Sequence, residues 1–388
     1  MKSVIVFGLG GPVGGVQNYL LSVQEKLEDR LRFVFFVEKG QSVHAERIAQ
    51  HHGEVVYIPR ESGLAEYRKR LRKELEVRRG EVDTVYLNIS NFSHERLLIM
   101  MAALRLGYRV VVHCHAAHLD AIGNAVHRLL HAVIRTASRR CTKRCVRLAI
   151  SRRAGDFMFD KQSFAVVPSG IEVGDYRFSP KVRELVREEL NCGDRFVLGF
   201  VGRLAEVKNG AFAIRVAKEL ISRAGKDRVL LLVVGDGPQW DDLHRKAEEC
   251  GIADQVLFVG AASNAYRYYQ AMDCLLSTST SEGLSLTTLE AQAAALPCIC
   301  ARDRYPEEIA ATSLVRMIPL EAGEAEWAGA IARSLIDQGG AGERERGLEP
   351  PDALMRFDIG RIAGELYGYL TAEGGAAGEG ALKGDSHE

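Results

Sequence analysis

Four groups of residues have types and spacings that suit chemistry. The first is Gly202-Arg203-Leu204 followed by Lys208-Asn209, after the apolar run Val197–Val201. Two cations at a strand end can both face one anionic ligand; the plain alternative is a pair of surface charges. The second is Ser281-Glu282-Gly283-Leu284-Ser285, which leads into a helical pattern carrying Glu290. The backbone N–H groups of Gly283, Leu284 and Ser285 gather near the start of that helix, a place that favours phosphate. A carboxylate on each side can accept hydrogen bonds from hydroxyls. Helix capping or charge balance is the alternative for either glutamate alone. Both groups lie at the carboxyl ends of strands of one expected sheet, so together they read as a site for phosphates and hydroxyls.

The third group is the N-terminal loop Gly8-Leu9-Gly10-Gly11-Pro12-Val13-Gly14-Gly15. It leaves a β-branched strand and opens a helix, and Gly8, Gly10 and Gly14 form a variant of the dinucleotide fingerprint. Glu38 ends the second strand, where a ribose-binding acid would stand. Three readings are open: an NAD site, a tight turn without a ligand, and a loop touching a substrate phosphate or sugar. The fourth group is His113-Cys114-His115-Ala116-Ala117-His118, with Asp120 the nearest carboxylate. A metal site, a single ligand-contacting histidine at His115 and a satisfied structural histidine are the readings for it.

The elements that must hold these groups alternate. Strands are expected at Val4–Phe7, Phe33–Val37, Val55–Ile58, Thr84–Leu87, Arg109–His113, Leu148–Ile150 and Ala165–Val167, with helices near Val16–Leu27 and Leu64–Arg79. Val167-Pro168-Ser169-Gly170 reads as a turn and a boundary. The pattern then restarts with strands at Val197–Val201, Val229–Val234, Val256–Val259, Cys274–Ser277 and Pro297–Ala301. Helices at about Asn209–Arg223, Trp240–Cys250, Ala265–Ala271 and Thr287–Ala295 lie between them. Such alternation gives parallel sheets covered on both faces. Two α/β domains are expected, residues 1–168 and 169–355, doubly wound and facing a central cleft. A loop follows over 339–351, then a short helix at about 356–371 that packs back on the first domain, and a flexible tail over 372–388.

Composition narrows the class. The 388 residues are 47% hydrophobic and 26% charged, with 51 basic and 51 acidic side chains. This is globular composition without the basic excess of a nucleic-acid binder, so no nucleic-acid partner is expected. No apolar run has the length of a membrane-spanning helix, and the first apolar stretch ends in glycines as a strand does. A cytoplasmic chain is expected. None of the eight cysteines forms a C-x-x-C pair, and they read as reduced core residues and not as metal ligands.

Taken in order and spacing, Phe200-Val201-Gly202-Arg203-Leu204 with Lys208-Asn209, Val234-Gly235-Asp236-Gly237-Pro238, Phe258-Val259-Gly260 and Glu282-Gly283-Leu284 through Glu290-Ala291 resemble the retaining glycosyltransferases of family 4, which have the GT-B fold. Gly14-Gly15-Val16, His115 and Pro168-Ser169-Gly170-Ile171-Glu172 extend the resemblance, which spans roughly residues 1–370 and is nearest in flavour to the bacterial capsule and exopolysaccharide branch. It implies that Arg203 and Lys208 hold the diphosphate of a nucleotide sugar, UDP-linked in the first instance, and that Glu290 takes the ribose hydroxyls. Glu282 would contact the transferred sugar, helped by the amides of Gly283, Leu284 and Ser285. His115 would contact the sugar or the acceptor, Gly14 and Gly15 would shape the loop beside the diphosphate, and Gly260 would end the strand beside the base. The implied activity is retaining transfer to a glycan or polyprenyl-linked acceptor in cell-surface polysaccharide synthesis. Three positions depart from the family pattern: Gln17 where glutamate is frequent, Ser285 where proline is, and Ser169 where asparagine is.

No cofactor or metal is expected, because Arg203, Lys208 and the helix start at Gly283 can offset the charge of a departing diphosphate, and no Asp-x-Asp pair is present. Residues 127–153 carry Arg128, Arg135, Arg139, Arg140, Lys143, Arg144, Arg147, Arg152 and Arg153 with an apolar stripe of Leu129, Leu130, Val133 and Ile134. The run reads as a helix face in water or as one on an anionic membrane. A nucleotide-sugar epimerase of the same fold, an NAD-dependent oxidoreductase and a non-catalytic sugar-nucleotide sensor are the competing functions.

Overall fold

The computed structural model describes residues 1–9, 14–38, 44–61, 63–116, 125–262, 264–337 and 352–371, without the side chains of 125–129 and 334–337. Gly10–Val13, His118, Asp120, the loop expected at 339–351, the tail 372–388 and the side chains of His127, Arg128 and Leu129 lie outside the described residues. The chain forms two units, Met1–Gly170 joined by the segment from Ile359, and Ile171–Asp358.

The first unit runs β1 (Lys2–Phe7), α1 (Gly15–Leu27), β2 (Leu31–Val37), α2 (Ala45–Gln50), β3 (Glu54–Tyr57), α3 (Leu64–Arg78), β4 (Thr84–Ile89), α4 (His94–Arg105), β5 (Arg109–Cys114), α5 (Ala125–Thr142), β6 (Val146–Ala149), α6 (Arg152–Phe159) and β7 (Ala165–Val166). Its seven strands are all parallel in the order β3-β2-β1-β4-β5-β6-β7. The central strands are apolar almost throughout, VIVF in β1 and FVFFV in β2, because both faces of a parallel sheet are covered.

The second unit runs α7 (Pro180–Glu189), β8 (Phe196–Val201), α8 (Gly210–Ala224), β9 (Val229–Val234), α9 (Trp240–Glu249), β10 (Val256–Gly260), α10 (Tyr266–Ala271), β11 (Cys274–Ser277), α11 (Leu286–Ala293), β12 (Cys298–Ala301), β13 (Val315–Ile318) and α12 (Gly323–Asp337). Its six strands are parallel in the order β10-β9-β8-β11-β12-β13. The peptide N–H of Ile171 donates to Phe357 O over 3.0 Å, and Ile171 bridges Asp358, so entry to and exit from this unit lie side by side.

The last helix, α13 (Ile359–Thr371), belongs to the first unit. Ile359, Ile362, Ala363, Leu366 and Leu370 repeat at helical spacing and join the core of Val4, Tyr19, Leu20 and Val23. Thr84 Oγ1 donates to Leu370 O over 2.9 Å, and the Arg30 guanidinium lies 3.8 Å over the Tyr367 ring.

Among the elements that the sequence pattern does not place are α4, β13 and α7. The apolar residues of α4, HERLLIMMAALR, spread beyond one face and blur the helical period. The edge strand β13, VRMI, has four residues and an exposed Arg316 in its middle. Helix α7 is highly charged, yet Ser179 caps it and Pro180 opens it.

Truncating Leu366 to alanine would leave a cavity where α13 meets this core. An unfolding free energy lower by about 2–5 kcal/mol is expected in a urea titration followed by far-UV circular dichroism.

Candidate functional site

In the second unit the charged groups gather beside β8 and β11, neighbours at the point where the strand order reverses. β8 runs out into Gly202, whose φ of +139° suits a residue without a side chain. Gly202 N donates to Val234 O and Leu204 N to Asp236 O, both at 2.9 Å, so the exits of β8 and β9 are tied together. A Cβ on Gly235 would sit 1.9 Å from Gly202 O, and one on Gly237 2.5 Å from Leu204 O. Those two glycines let the backbones approach, a role that the sequence motif shows only as a pattern. Gly260 ends β10 at φ +74°, and its carbonyl accepts from Gly235 N at 2.8 Å.

Arg203 is exposed. Lys208 follows a short turn, after which Asn209 adopts a left-handed conformation, φ +55°, and starts α8. The exit of β11 locks this turn in place. Thr280 N donates to Val207 O at 2.8 Å, and Thr278 Oγ1 to the carbonyls of Lys208 and Asn209 at 3.0 and 3.1 Å.

The Lys208 ammonium then donates to Glu282 Oε1 over 2.6 Å, and Ser279 Oγ donates to the same oxygen over 2.7 Å. The side chains are 23% and 12% exposed, so this is a pair mostly withdrawn from water. Glu282 N is held by Arg304 O at 2.8 Å. Gly283, Leu284 and Ser285 are buried and lead into α11, and Ser285 Oγ caps the helix by accepting from Thr288 N. Glu290 lies on α11 and takes a hydrogen bond from Tyr269 Oη at 2.6 Å. Burial raises the Glu290 carboxyl above its usual range, against the hydroxyls of Tyr269 and Tyr176 and the charge of Lys208, which all pull it down. Lys208, Glu282 and Glu290 are thus brought together within one unit. Ser279, Tyr269 and Tyr176 complete the group and come from other elements; a run of tyrosines in α10, YRYYQA, is the only hint of them in the sequence.

In the first unit β1, β4 and β5 end near one another. Gly8 (φ +121°) leaves β1 against Asn88 of β4. Gly14 is extended and caps α1 through its carbonyl, which accepts from Asn18 N at 3.0 Å; Gly15 opens the helix and is exposed. His115 follows β5 and is 8% exposed, with Nε2 at 2.8 Å from Asn88 Oδ1. His113 is fully buried between Tyr86 Oη (2.7 Å) and Val167 O (2.8 Å). Burial depresses both imidazoles, His113 to about 4 and His115, next to His113, well below the ordinary histidine value. Both are neutral at pH 7.

Glu38 does not have the free carboxylate that ribose recognition needs. It is buried, and accepts from Arg96 at 2.7 Å, Arg60 at 3.0 Å and Tyr67 at 2.7 Å. Burial would raise its carboxyl, but Arg96 and Arg60 hold it below the usual range. The acid that the dinucleotide reading required is spent on structure. Among the described residues no group of three or more His, Cys, Asp or Glu side chains is disposed to hold a metal ion, and all eight cysteines are free.

The basic run is largely structural at its centre. Arg135 and Arg139 donate to Phe157 O, Arg139 also to Met158 O, and Arg147 to Ser163 O and Thr142 O. Leu130 and Val133 are 56% and 59% exposed, and Arg140, Lys143 and Arg144 are exposed beyond them. No helix of the described residues is long and apolar enough to cross a membrane.

Residues 182–344 match the family model "Glycosyl transferases group 1". EpsF of Bacillus subtilis is 31% identical over 195 residues, 48% of this chain and 50% of its own length. The alpha-monoglucosyldiacylglycerol synthase of Streptococcus pneumoniae is 32% identical over 179 residues, 44% of this chain and 39% of its own. The chain therefore spans half or less of the length of these curated relatives. HepE of Anabaena, solved in complex with UDP, is 18% identical with a TM-score of 0.77, covering 96% of this chain and 100% of its own. That likeness shows the fold, GT-B with two Rossmann-like domains.

Because the folded state keeps both imidazoles neutral while the unfolded chain protonates near 6.5, stability is complete above that pH. It falls as the pH drops below about 6.5, down to about 4 for His113 and with His115 losing stability in the same direction, with a slope of up to about 1.4 kcal/mol per pH unit for each imidazole. Urea titrations at pH 7.5, 6 and 5 are expected to show this loss, and a flat profile would contradict the neutral assignment.

Proposed function

We propose that this chain, whose residues 182–344 match the group 1 glycosyl transferase model, moves a sugar from a nucleotide-sugar donor to a hydroxyl of a glycan or lipid-linked acceptor in cell-surface polysaccharide synthesis. The observation that carries this reading is the cluster at the ends of β8 and β11: Lys208 bonded to Glu282, with Glu290 beside them and the start of α11 alongside. Breaking a glycosyl–phosphate bond leaves negative charge on a diphosphate while the sugar becomes oxocarbenium-like. Arg203, Lys208 and the backbone N–H groups at the start of α11 are the donors that would hold this diphosphate. Glu282 would accept from hydroxyls of the transferred sugar and Glu290 from those of the ribose. Cations and oriented amides suffice to offset the leaving charge, and on that ground the transfer is read as metal-independent. Retention of configuration rests on the family resemblance. The structures of HepE with UDP, with UDP and glucose, and with UDP-glucose support UDP as the first nucleotide to try.

A thermal-shift screen of UDP-, GDP-, ADP- and dTDP-sugars tests the donor. A binder is expected to stabilise the protein by about 2.7 kcal/mol at one hundred times its Kd, with EDTA present. Lys208→Ala is expected to abolish the shift. No shift from any nucleotide sugar, or turnover abolished by chelation, would sink the reading in whole or in its metal-free part.

A lipid-linked acceptor is supported by the exposed Leu130 and Val133 of α5, by Arg140 further along that helix, and by Lys143 and Arg144 in the turn that follows it. Co-sedimentation with vesicles of anionic lipid is expected, and the triple variant Arg140→Gln, Lys143→Gln, Arg144→Gln is expected to lose it. A variant that sediments as before would remove the membrane from the account.

A further inference from the structure

Asn88 stands one residue before the end of strand β4, TVYLNI, and is buried. It sits under the exit of β1, where a Cβ on Gly8 would come within 2.7 Å of the Asn88 Cβ. Asn88 Nδ2 donates to Phe7 O over 3.2 Å. The reverse orientation of the amide would set its oxygen against that carbonyl with no proton between them. The Phe7 carbonyl therefore decides which end of the amide faces His115, and it is the oxygen, 2.8 Å from Nε2.

An amide oxygen can only accept, so His115 Nε2 must carry the hydrogen. A neutral imidazole has one N–H, and Nδ1 is left with a bare lone pair. Nδ1 is buried and has no hydrogen-bond partner among the described residues. The adjacent His113 differs: its Nε2 donates to Val167 O, and its Nδ1 accepts from Tyr86 Oη, so both nitrogens are engaged. The rings lie 4.5 Å apart, and of the two only His115 has an acceptor to spare.

We propose that Asn88 is a positioning residue that holds His115 as the Nε2–H tautomer and thereby presents Nδ1 as a hydrogen-bond acceptor for a substrate hydroxyl. The identity of that hydroxyl as one of a sugar rests on the glycosyl-transfer reading; the tautomer does not. A sugar whose hydroxyl at that position is replaced by fluorine or O-methyl has no proton to donate and would lose the contact.

The test is a long-range ¹H–¹⁵N correlation spectrum of the full chain labelled at histidine, with the His115 signals identified by their absence in His115→Gln. At pH 7.5 the wild type is expected to show protonated Nε2 and unprotonated Nδ1. Asn88→Asp, which keeps an acceptor oxygen, is expected to keep the Nε2–H signal, and Asn88→Leu to lose the preference. Transfer assays are expected to show kcat for Asn88→Leu lowered about 10- to 100-fold, the range seen when the partner that orients a ligand histidine is removed, with the UDP-induced thermal shift retained. A wild-type Nδ1–H tautomer, or an Asn88→Leu spectrum like the wild type, overturns the positioning role. The expected spectra with unchanged kcat overturn the substrate contact. Failure of every nucleotide sugar to shift the melting temperature counts against the transferase reading alone and leaves the spectra to decide the tautomer.

Discussion

A parallel sheet whose strand order reverses beside its first strand is the constraint from which the rest of this molecule follows. In the first unit β1 lies between β2 and β4, and in the second β8 lies between β9 and β11. The connections from two such neighbours return on opposite faces of the sheet, so the loops at their carboxyl ends part and leave backbone and side chains unshared by either layer. Gly8, Asn88 and His115 occupy that place in one unit, and Gly202 to Lys208 with Thr278 to Glu282 in the other. Apolar strands, in regular register from β1 to β5 and across β9, β8, β11 and β12, hold the ends of the strands still, and the polar groups inherit that rigidity.

The two units meet the cost of withdrawing polar groups from water in different ways. The first uses neutral groups: two imidazoles, an amide and a tyrosine hydroxyl, linked so that each donor finds an acceptor and one acceptor is kept in hand. The second uses charge, which is expensive to bury unpaired, and so presents Lys208 already bonded to Glu282 and braced by Ser279. Neutral acceptors suit the recognition of hydroxyls, and a cation suits phosphate.

Sequence patterns carry the repeating elements well, because β-branched runs ending in glycine are local signals. They place Lys208 and Glu282 at the ends of neighbouring strands, because position in a βα unit implies a direction. They fail where meaning comes from a distant partner. Glu38 stands where a ribose acid belongs, yet Arg60, Tyr67 and Arg96 close over it from 22, 29 and 58 residues away. Asn88 looks like an interruption in a strand until Phe7 and His115 are seen on either side of its amide. Arg135, Arg139 and Arg147 contribute to a basic run in the sequence, but they act as donors to the carbonyls of α6 and its neighbours. In each case the residue type was visible and the long-range hydrogen bond that assigns its role was not.

The formal charges of the cluster in the second unit cancel, and what matters is how each is held. Arg203 and Lys208 against Glu282 and Glu290 sum to zero, which would offer little to a diphosphate. Burial raises the Glu290 carboxyl above its usual range, while the hydroxyls of Tyr269 and Tyr176 and the charge of Lys208 pull it down. An ammonium also has three donors, and its bond to Glu282 Oε1 engages one of them. The pair therefore places Lys208 without spending all of its hydrogen-bonding capacity. Arg203 is exposed on the adjoining loop, whereas Lys208 is fixed in place by its bond to Glu282.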